Sequence, residues 1–306
     1  MSKLLSDGNF LISTASRPKP SSPGKYLANF ILVFLAVVLL IPVIWMTIAP
    51  SKDRVQLITL APLKFGSIES YLTRWRNLMV YDDGVIIRWM ENSFWYTIAI
   101  VSLSTTMSLL GGFALGVKNF RFKRQILIST MIAMMLPGVA LVLPLFVWID
   151  KLRLTDTELG LILASSLYPF GVFLSYIHFS TVIPRELYEA AKIDGCGYFK
   201  IFRKVALPVS KSLAGIVAFF SFLGAWNSFF LPQVFILSGE KHPLSSGLVI
   251  LFTNVKAFCG CEPTLLPIFR SEIALSALIL ITPTIFLFIF AQRFLSRGML
   301  AGSVKS

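Results

Sequence analysis

The chain has 306 residues, 56% of them hydrophobic and only 14% charged, with a mean hydropathy of +0.76 and a formal charge of +13. A soluble domain carries nearer one quarter charged residues, so this composition excludes an ordinary water-soluble enzyme. The basic balance does not point to nucleic acid either, because its lysines and arginines are spread over four segments flanking apolar runs, as lipid headgroups and membrane topology require.

In chain order, the N-terminal tail, residues 1–26 with Arg17-Pro18-Lys19-Pro20-Ser21-Ser22-Pro23, is expected to be irregular. Six runs then reach the ~20 apolar residues that carry a helix across a bilayer. They are Leu27–Ala49, Phe94–Val117, Ile126–Ile149, Leu159–Ser180, Ser212–Leu237 and Ile273–Gln292. The first is too long for the core of a signal peptide, and no small-x-small site follows it cleanly. Between the first two runs, residues 50–93 mix aromatic and charged side chains (Tyr71, Arg74, Trp75, Arg76, Tyr81) and suit an interfacial or partly folded segment. Asn92-Ser93 is placed to cap the second run, and Lys118 to Arg124 form a short basic turn. The stretch 232–272, with Pro232, Gly239, Pro243, Gly247, Gly260, Pro263 and Pro267, reads as irregular backbone with one short helix near Ser246–Asn254. The expected fold class is all-α: a polytopic membrane domain of six transmembrane helices over 27–292, with a polar loop at 184–208 and a tail at 293–306.

Lysine and arginine set the orientation. With the N-terminus inside, the inner segments 1–26, 118–125, 181–211 and 293–306 hold 17 Lys/Arg against 4 Asp/Glu, and the outer segments hold 11 of each. The whole net charge lies on one side, so both termini and the 184–208 loop are expected in the cytoplasm.

Prolines at 42, 137, 144, 169 and 283 fall inside the runs. Each removes a hydrogen bond and kinks a helix, either to shape a pathway or simply because membrane helices tolerate proline. Gly111, Gly112, Gly116, Ala164, Ser165 and Ser166 permit close helix packing. Cys196 is expected to be a reduced structural residue. Cys259 and Cys261 are either two free thiols or one strained bridge. No His stands near them in sequence, so no metal ligand is assigned.

The runs contain no Asp, Glu, Lys or Arg in their interiors, which argues against a proton- or sodium-driven carrier. No GxxxxGK[ST] phosphate loop, HExxH or GxSxG occurs, so the chain names no catalytic residue and binds no cofactor of its own. His178 reads as a helix-end residue. In the fifth run, Trp226 and Asn227 are candidates for a substrate pathway. The alternative is that Trp226 anchors at the membrane interface while Asn227 bonds a neighbouring helix.

The most informative segment is PRELYEAAKIDGCGYFKIFRKVALP, residues 184–208. Pro184 suits a first helical turn. Arg185, Glu189 and Lys192 line one solvated side, and Ala190 and Ala191 leave a low-relief patch. Gly195 can take the left-handed conformation that ends a helix. A short basic helix from Tyr198 to Lys204 follows, and Leu207-Pro208 opens the next run. Glu189-Ala190-Ala191, three residues, Gly195, nine residues, then Val205-x-Leu207-Pro208 resembles the EAA loop of importer-type ABC transporter permeases, with Val205 where that pattern has Ile. Phe120-Arg121-Phe122-Lys123, Met135-Leu136-Pro137, Pro169-Phe170, Ile183 to Leu187, Trp226-Asn227 and Gln292 to Lys305 extend the resemblance to the carbohydrate branch, of the maltose and glycerol-3-phosphate type.

That resemblance implies a subunit of the bacterial inner membrane whose loop docks on a separate ATPase dimer, where ATP and Mg bind. Glu189 would be the polar contact, Ala190 and Ala191 the packing surface, Gly195 the turn, and Leu207-Pro208 the end of the coupling segment. The other implied partners are a second permease subunit, as a heterodimer, an external substrate-binding protein and membrane lipid. The competing reading is a self-contained carrier or channel whose loop binds lipid.

Overall fold

The computed structural model describes residues 23–53, 55–253 and 270–303, with side chains through 292. The tail through Arg17 and Ser22, the stretch with Cys259, Gly260, Cys261, Pro263 and Pro267, and the side chains of the 293–306 tail lie outside the described residues. Residues 1–45 and 46–306 are two units. The first is represented by most of α1 (Pro23–Ile48), an apolar helix with Pro42 inside it.

The second unit is also helical, and no strand occurs among the described residues. It runs α2 (Gln56–Thr59), α3 (Ile68–Val80), α4 (Val85–Val117), α5 (Lys123–Met135), α6 (Gly138–Lys151), α7 (Glu158–Ser165) and α8 (Pro169–Ile177). A π-helical turn, His178–Val182, then leads to α9 (Arg185–Ile193) and α10 (Tyr198–Ile201). A second π turn, Phe202–Ala206, precedes α11 (Leu207–Val209), α12 (Lys211–Trp226), α13 (Phe230–Phe235), α14 (Leu244–Thr253) and α15 (Arg270–Ser303). Among the described residues four helices are long and apolar enough to cross a membrane, or six if two bent pairs each count as one span.

The differences from the sequence reading have local causes. The third run is α5 and α6, bent by 116° at Leu136-Pro137, because proline excludes helical geometry from the residue before it. Pro169 likewise begins α8 after a non-helical Tyr168, yet Glu158–Val182 still forms one candidate span, as the fourth run predicts, and Pro144 and Pro283 are carried inside helices. The 50–93 stretch is helical and packed: Leu78, Tyr81, Val85, Ile86 and Trp89 form a core with Leu244, Leu251 and Leu275. Asn92 and Ser93 therefore sit inside a 33-residue α4, about 50 Å long, and do not cap the second run. The short helix expected near 246–254 is α14.

Charge enters the helices where the apolar runs end. α15 starts three residues before the sixth run, so Glu272 falls in its first turn, fully buried, with Arg74 Nη1 at 3.0 Å and Asn77 Nδ2 at 3.4 Å. Removing one partner of such a buried pair costs about 3–5 kcal/mol.

A seam of small residues holds α4 on α8. A methyl group at Gly112 would lie 2.3 Å from Ser175 Cβ, and one at Gly171 would lie 2.5 Å from Ser108 Oγ. Gly116 meets Phe179 in the same way. With a repeat of four residues on both helices, the backbones touch where side chains are absent.

Candidate functional site

The 184–208 segment folds as two short helices around a glycine, rooted on the second unit. Pro184 is extended (ψ 137°) and stands just before α9 instead of in its first turn. α9 ends in a Schellman motif. The N–H of Cys196 donates to Ala191 O at 3.0 Å and that of Gly195 to Lys192 O at 2.9 Å, with Gly195 at φ +72°. Only glycine takes that conformation without strain. Open space surrounds Gly195, so the φ angle alone demands the residue.

α9 has two unlike faces. Arg185, Glu186, Glu189, Ala190 and Lys192 are exposed, while Tyr188 and Ala191 are buried. The alanine pair is thereby split: Ala190 faces out, but Ala191 belongs to the chain's own core and does not share in an exposed patch. Successive residues lie 100° apart on a helix, so two neighbours cannot both sit in the middle of one face. Burial pushes the Tyr188 phenol up to about 12, which keeps it a donor, and it donates to Phe179 O at 3.3 Å.

Beneath this lies an aromatic cluster. The Phe113 ring stands 5.5 Å from Phe179, 6.0 Å from Tyr188 and 5.3 Å from Phe202, mostly edge to face. Leu109, Ile183, Ile201, Ala206, Leu213 and Val217 complete it. Tyr198 carries two ammonium groups against its ring, Lys118 and Lys192, each at 5.2 Å. These cation–π contacts tie the basic 118–124 turn to the segment. Large apolar side chains remain uncovered beside the charges, with Ile193 86% and Phe199 69% exposed. Exposed apolar side chains of this kind suit contact with another macromolecule or with a membrane surface.

Leu207 and Pro208 do not open the next membrane helix. They form α11, at the end of the continuous turn from Tyr198 to Val209, and α12 departs only after Ser210, at 84°. Pro208 is exposed and Leu207 packs against the aromatic cluster.

Trp226 and Asn227 part company. Trp226 is buried, and its indole N–H donates to Leu280 O on α15 at 2.8 Å, three residues before Pro283. A proline loosens the hydrogen-bond ladder in that turn, and the indole supplies a donor there. Asn227 is exposed and turns its amide to Leu223 O at 2.9 Å, closing its own helix without reaching a neighbouring one.

The sequence reading missed the residues that root the segment: Phe113, Phe179, Tyr188, Phe202 and the pair His178–Ser210. A helical wheel of α9 carries part of that signal, since Tyr188 and Ala191 fall three apart opposite Glu189.

Residues 108–301 match the model of a family described as "Binding-protein-dependent transport system inner membrane component". The chain is 33% identical over 225 residues to the arabinooligosaccharides transport system permease protein AraQ of Halalkalibacterium halodurans, covering 73% of this chain and 76% of the relative. It is 27% identical over 289 residues to the diacetylchitobiose uptake system permease protein DasC of Streptomyces coelicolor, covering 94% and 99%. In fold it is similar to a chain of a bacterial ABC transporter involved in import of the acidic polysaccharide alginate, with a TM-score of 0.74 over 90% of this chain and 99% of that one, at 22% identity. The matched region holds the seam, the aromatic cluster and the whole helix–glycine–helix segment. The chain is a member of the family of binding-protein-dependent transport system inner membrane components.

Proposed function

We propose that this chain is one of two membrane-spanning subunits of a bacterial ABC importer for a sugar or sugar derivative. The observation that carries the reading is the two-faced α9: a charged outer surface with Glu189 and Ala190, flanked by uncovered Ile193, on a helix whose inner face is rooted among Phe113, Phe179 and Phe202. A loop of this kind receives force from outside the membrane and passes it to the helices. The carbohydrate class is supported by relatives named for arabino-oligosaccharides and diacetylchitobiose.

In this reading the chain spans the inner membrane six times, the bent α5–α6 pair counting once and the fifth crossing beginning at α12, with both termini and the 184–208 loop in the cytoplasm. An external binding protein delivers the sugar. ATP and Mg act on a separate ATPase dimer, which presses on Glu189 and Ala190. Gly195 sets the angle between the two short helices, and Leu207-Pro208 hand the motion to α12. A second, different permease subunit completes the pathway within the lipid. Of the two pathway candidates, exposed Asn227 is the one open to cargo, while Trp226 holds α12 to α15.

Gentle solubilisation of the tagged protein from its own membranes, with mass spectrometry of what co-purifies, tests this. A P-loop ATPase and a second permease are expected. A lone chain, stable in several detergents and carrying sugar without ATP, would overturn the reading in favour of a self-contained carrier.

A further inference from the structure

We infer that the hydrogen bond between His178 and Ser210 is a positioning latch that makes the fourth and fifth membrane helices and the α9–α11 segment move as one body. The inference rests on the importer reading and names the residues that keep its force path stiff.

Ser210 stands at the 84° bend between the Tyr198–Val209 turn and α12. It is fully buried. Its backbone is committed on both sides of the bend: the N–H is shared between Ala206 O and Leu207 O, each at 3.1 Å, and the carbonyl accepts from Ala214 N at 3.0 Å. Those bonds keep the chain helical on either side. They do not fix the bend against the rest of the protein, and the hydroxyl is the group left to do so. Ser210 Oγ lies 3.0 Å from His178 Nε2, thirty-two residues earlier.

His178 is the first residue of the π turn that ends the fourth candidate span. A π turn interrupts the regular ladder, and such turns recur at functional sites. The next residue, Phe179, accepts the Tyr188 hydroxyl from α9. One π turn thus holds both ends of the coupling segment, α9 through Tyr188 and the root of α12 through Ser210. The second π turn, Phe202–Ala206, faces it through the Phe179–Phe202 ring contact at 6.4 Å. Apolar packing resists separation but permits sliding, whereas a hydrogen bond is directional. In a cluster otherwise mostly apolar, the His178–Ser210 bond fixes register at the α12 root, as the Tyr188–Phe179 bond does at α9.

The test uses the complex as it co-purifies, with Cys196, Cys259 and Cys261 replaced and spin labels at exposed Lys200 and Phe220, which flank the bend. Interlabel distances are measured without nucleotide and with ATP and Mg under trapping conditions. Wild type and His178→Gln, which keeps a side-chain N–H near the Nε2 position, are expected to give one narrow distance in both states. Ser210→Ala and His178→Ala are expected to give a distribution roughly twice as wide, shifting on ATP, because the bend yields instead of transmitting. The double variant should be no wider than either single one, since both remove the same bond. A Ser210→Ala distribution equal to wild type, or additive broadening in the double variant, would overturn the latch. Ser210→Ala removes one oxygen and adds no bulk, so it carries the test alone if His178→Ala does not accumulate. If no ATPase co-purifies and the preparation hydrolyses no ATP, the importer reading fails, while the width comparison still decides the latch.

Discussion

Two connections between membrane helices, 184–210 and 237–246, are held in opposite ways. The first is fixed from beneath by aromatic packing and leaves its charged face bare. The second is pinned by polar groups on every side. The Asp156 carboxylate accepts from the N–H groups of Leu237 and Ser238 at 2.9 Å each, from the Ser238 hydroxyl, and from Lys241 Nζ. From α4, Arg88 pairs with Glu240, Trp89 donates to Gly239 O, Asn92 to the carbonyls of Glu240 and His242, and Tyr96 to Lys241 O. Ser93 accepts from Leu244 N at 2.7 Å. Residues 88, 89, 92, 93 and 96 form one stripe of a helix, so α4 acts as a rail along which this connection is clipped. Under the proposed coupling role the contrast follows from use. A surface that must engage a partner keeps its polar groups unsatisfied within its own chain, and one that must stay in place satisfies them internally.

The strongest test of that contrast is Gly195→Asp. No neighbour would clash with the new side chain, but φ +72° is costly for it, so the angle between α9 and α10 changes while the core beneath is untouched. Uptake should be lost with the subunit still in the membrane at normal level. Wild-type uptake by this variant would sink the coupling role of the segment. Phe113→Ala attacks the root instead. Removing a buried ring that meets three others costs about 3–5 kcal/mol, and membrane level and uptake should fall together. Parallel quantitative blots and uptake assays separate the two cases, and Phe113→Ala behaving like Gly195→Asp would mean that the cluster does not support the fold.

The sequence carried the helical class, the apolar runs and the glycine turn because each is a local property: run length, side-chain polarity, and a φ angle only glycine takes freely. The split of Ala190 from Ala191 was also local, and a helical wheel reads it. The partners of Tyr188, the His178–Ser210 pair and the Trp226–Leu280 bond were not legible. They join positions nine to fifty-four residues apart, and nothing in a single chain's periodicity says which helices lie side by side. Asn92 and Ser93 misled for a related reason. Polar residues ahead of an apolar run mimic a cap, yet here they serve a partner loop some 150 residues away.

On the pinned connection, Asp156→Asn is expected to have a smaller effect than either change above. Hydrogen bonds from the Ser238 hydroxyl and backbone, with help from Leu237 and Lys241, hold the Asp156 carboxyl far below the usual carboxylate range. The neutral amide keeps the shape but loses the charge-assisted bonds and turns donors toward donors, for roughly 1–3 kcal/mol. Thermal unfolding in detergent should begin at a lower temperature while uptake at permissive temperature persists. Loss of uptake at full stability would mean that this connection, too, transmits force.

The smallest effect expected is one of pH. Burial holds the His242 imidazole below its ordinary value of 6.5, with Asp156 pulling weakly the other way, and Nδ1 lies 2.9 Å from Ser246 Oγ. A depressed value means the folded protein keeps the ring neutral at a pH where the unfolded chain already binds a proton. Stability is therefore full above about 6.5 and declines as pH falls from there toward the folded value. His242→Gln should flatten that decline between pH 7 and 5 in detergent melting curves without altering the plateau at higher pH. The 184–210 segment contains no histidine of its own but meets one, His178, through Ser210 Oγ at 3.0 Å, so any decline left in His242→Gln is expected to go in the His242→Gln/His178→Gln double variant. A decline that persists unchanged in His242→Gln would place the sensitive group elsewhere and remove pH as a difference between the two connections.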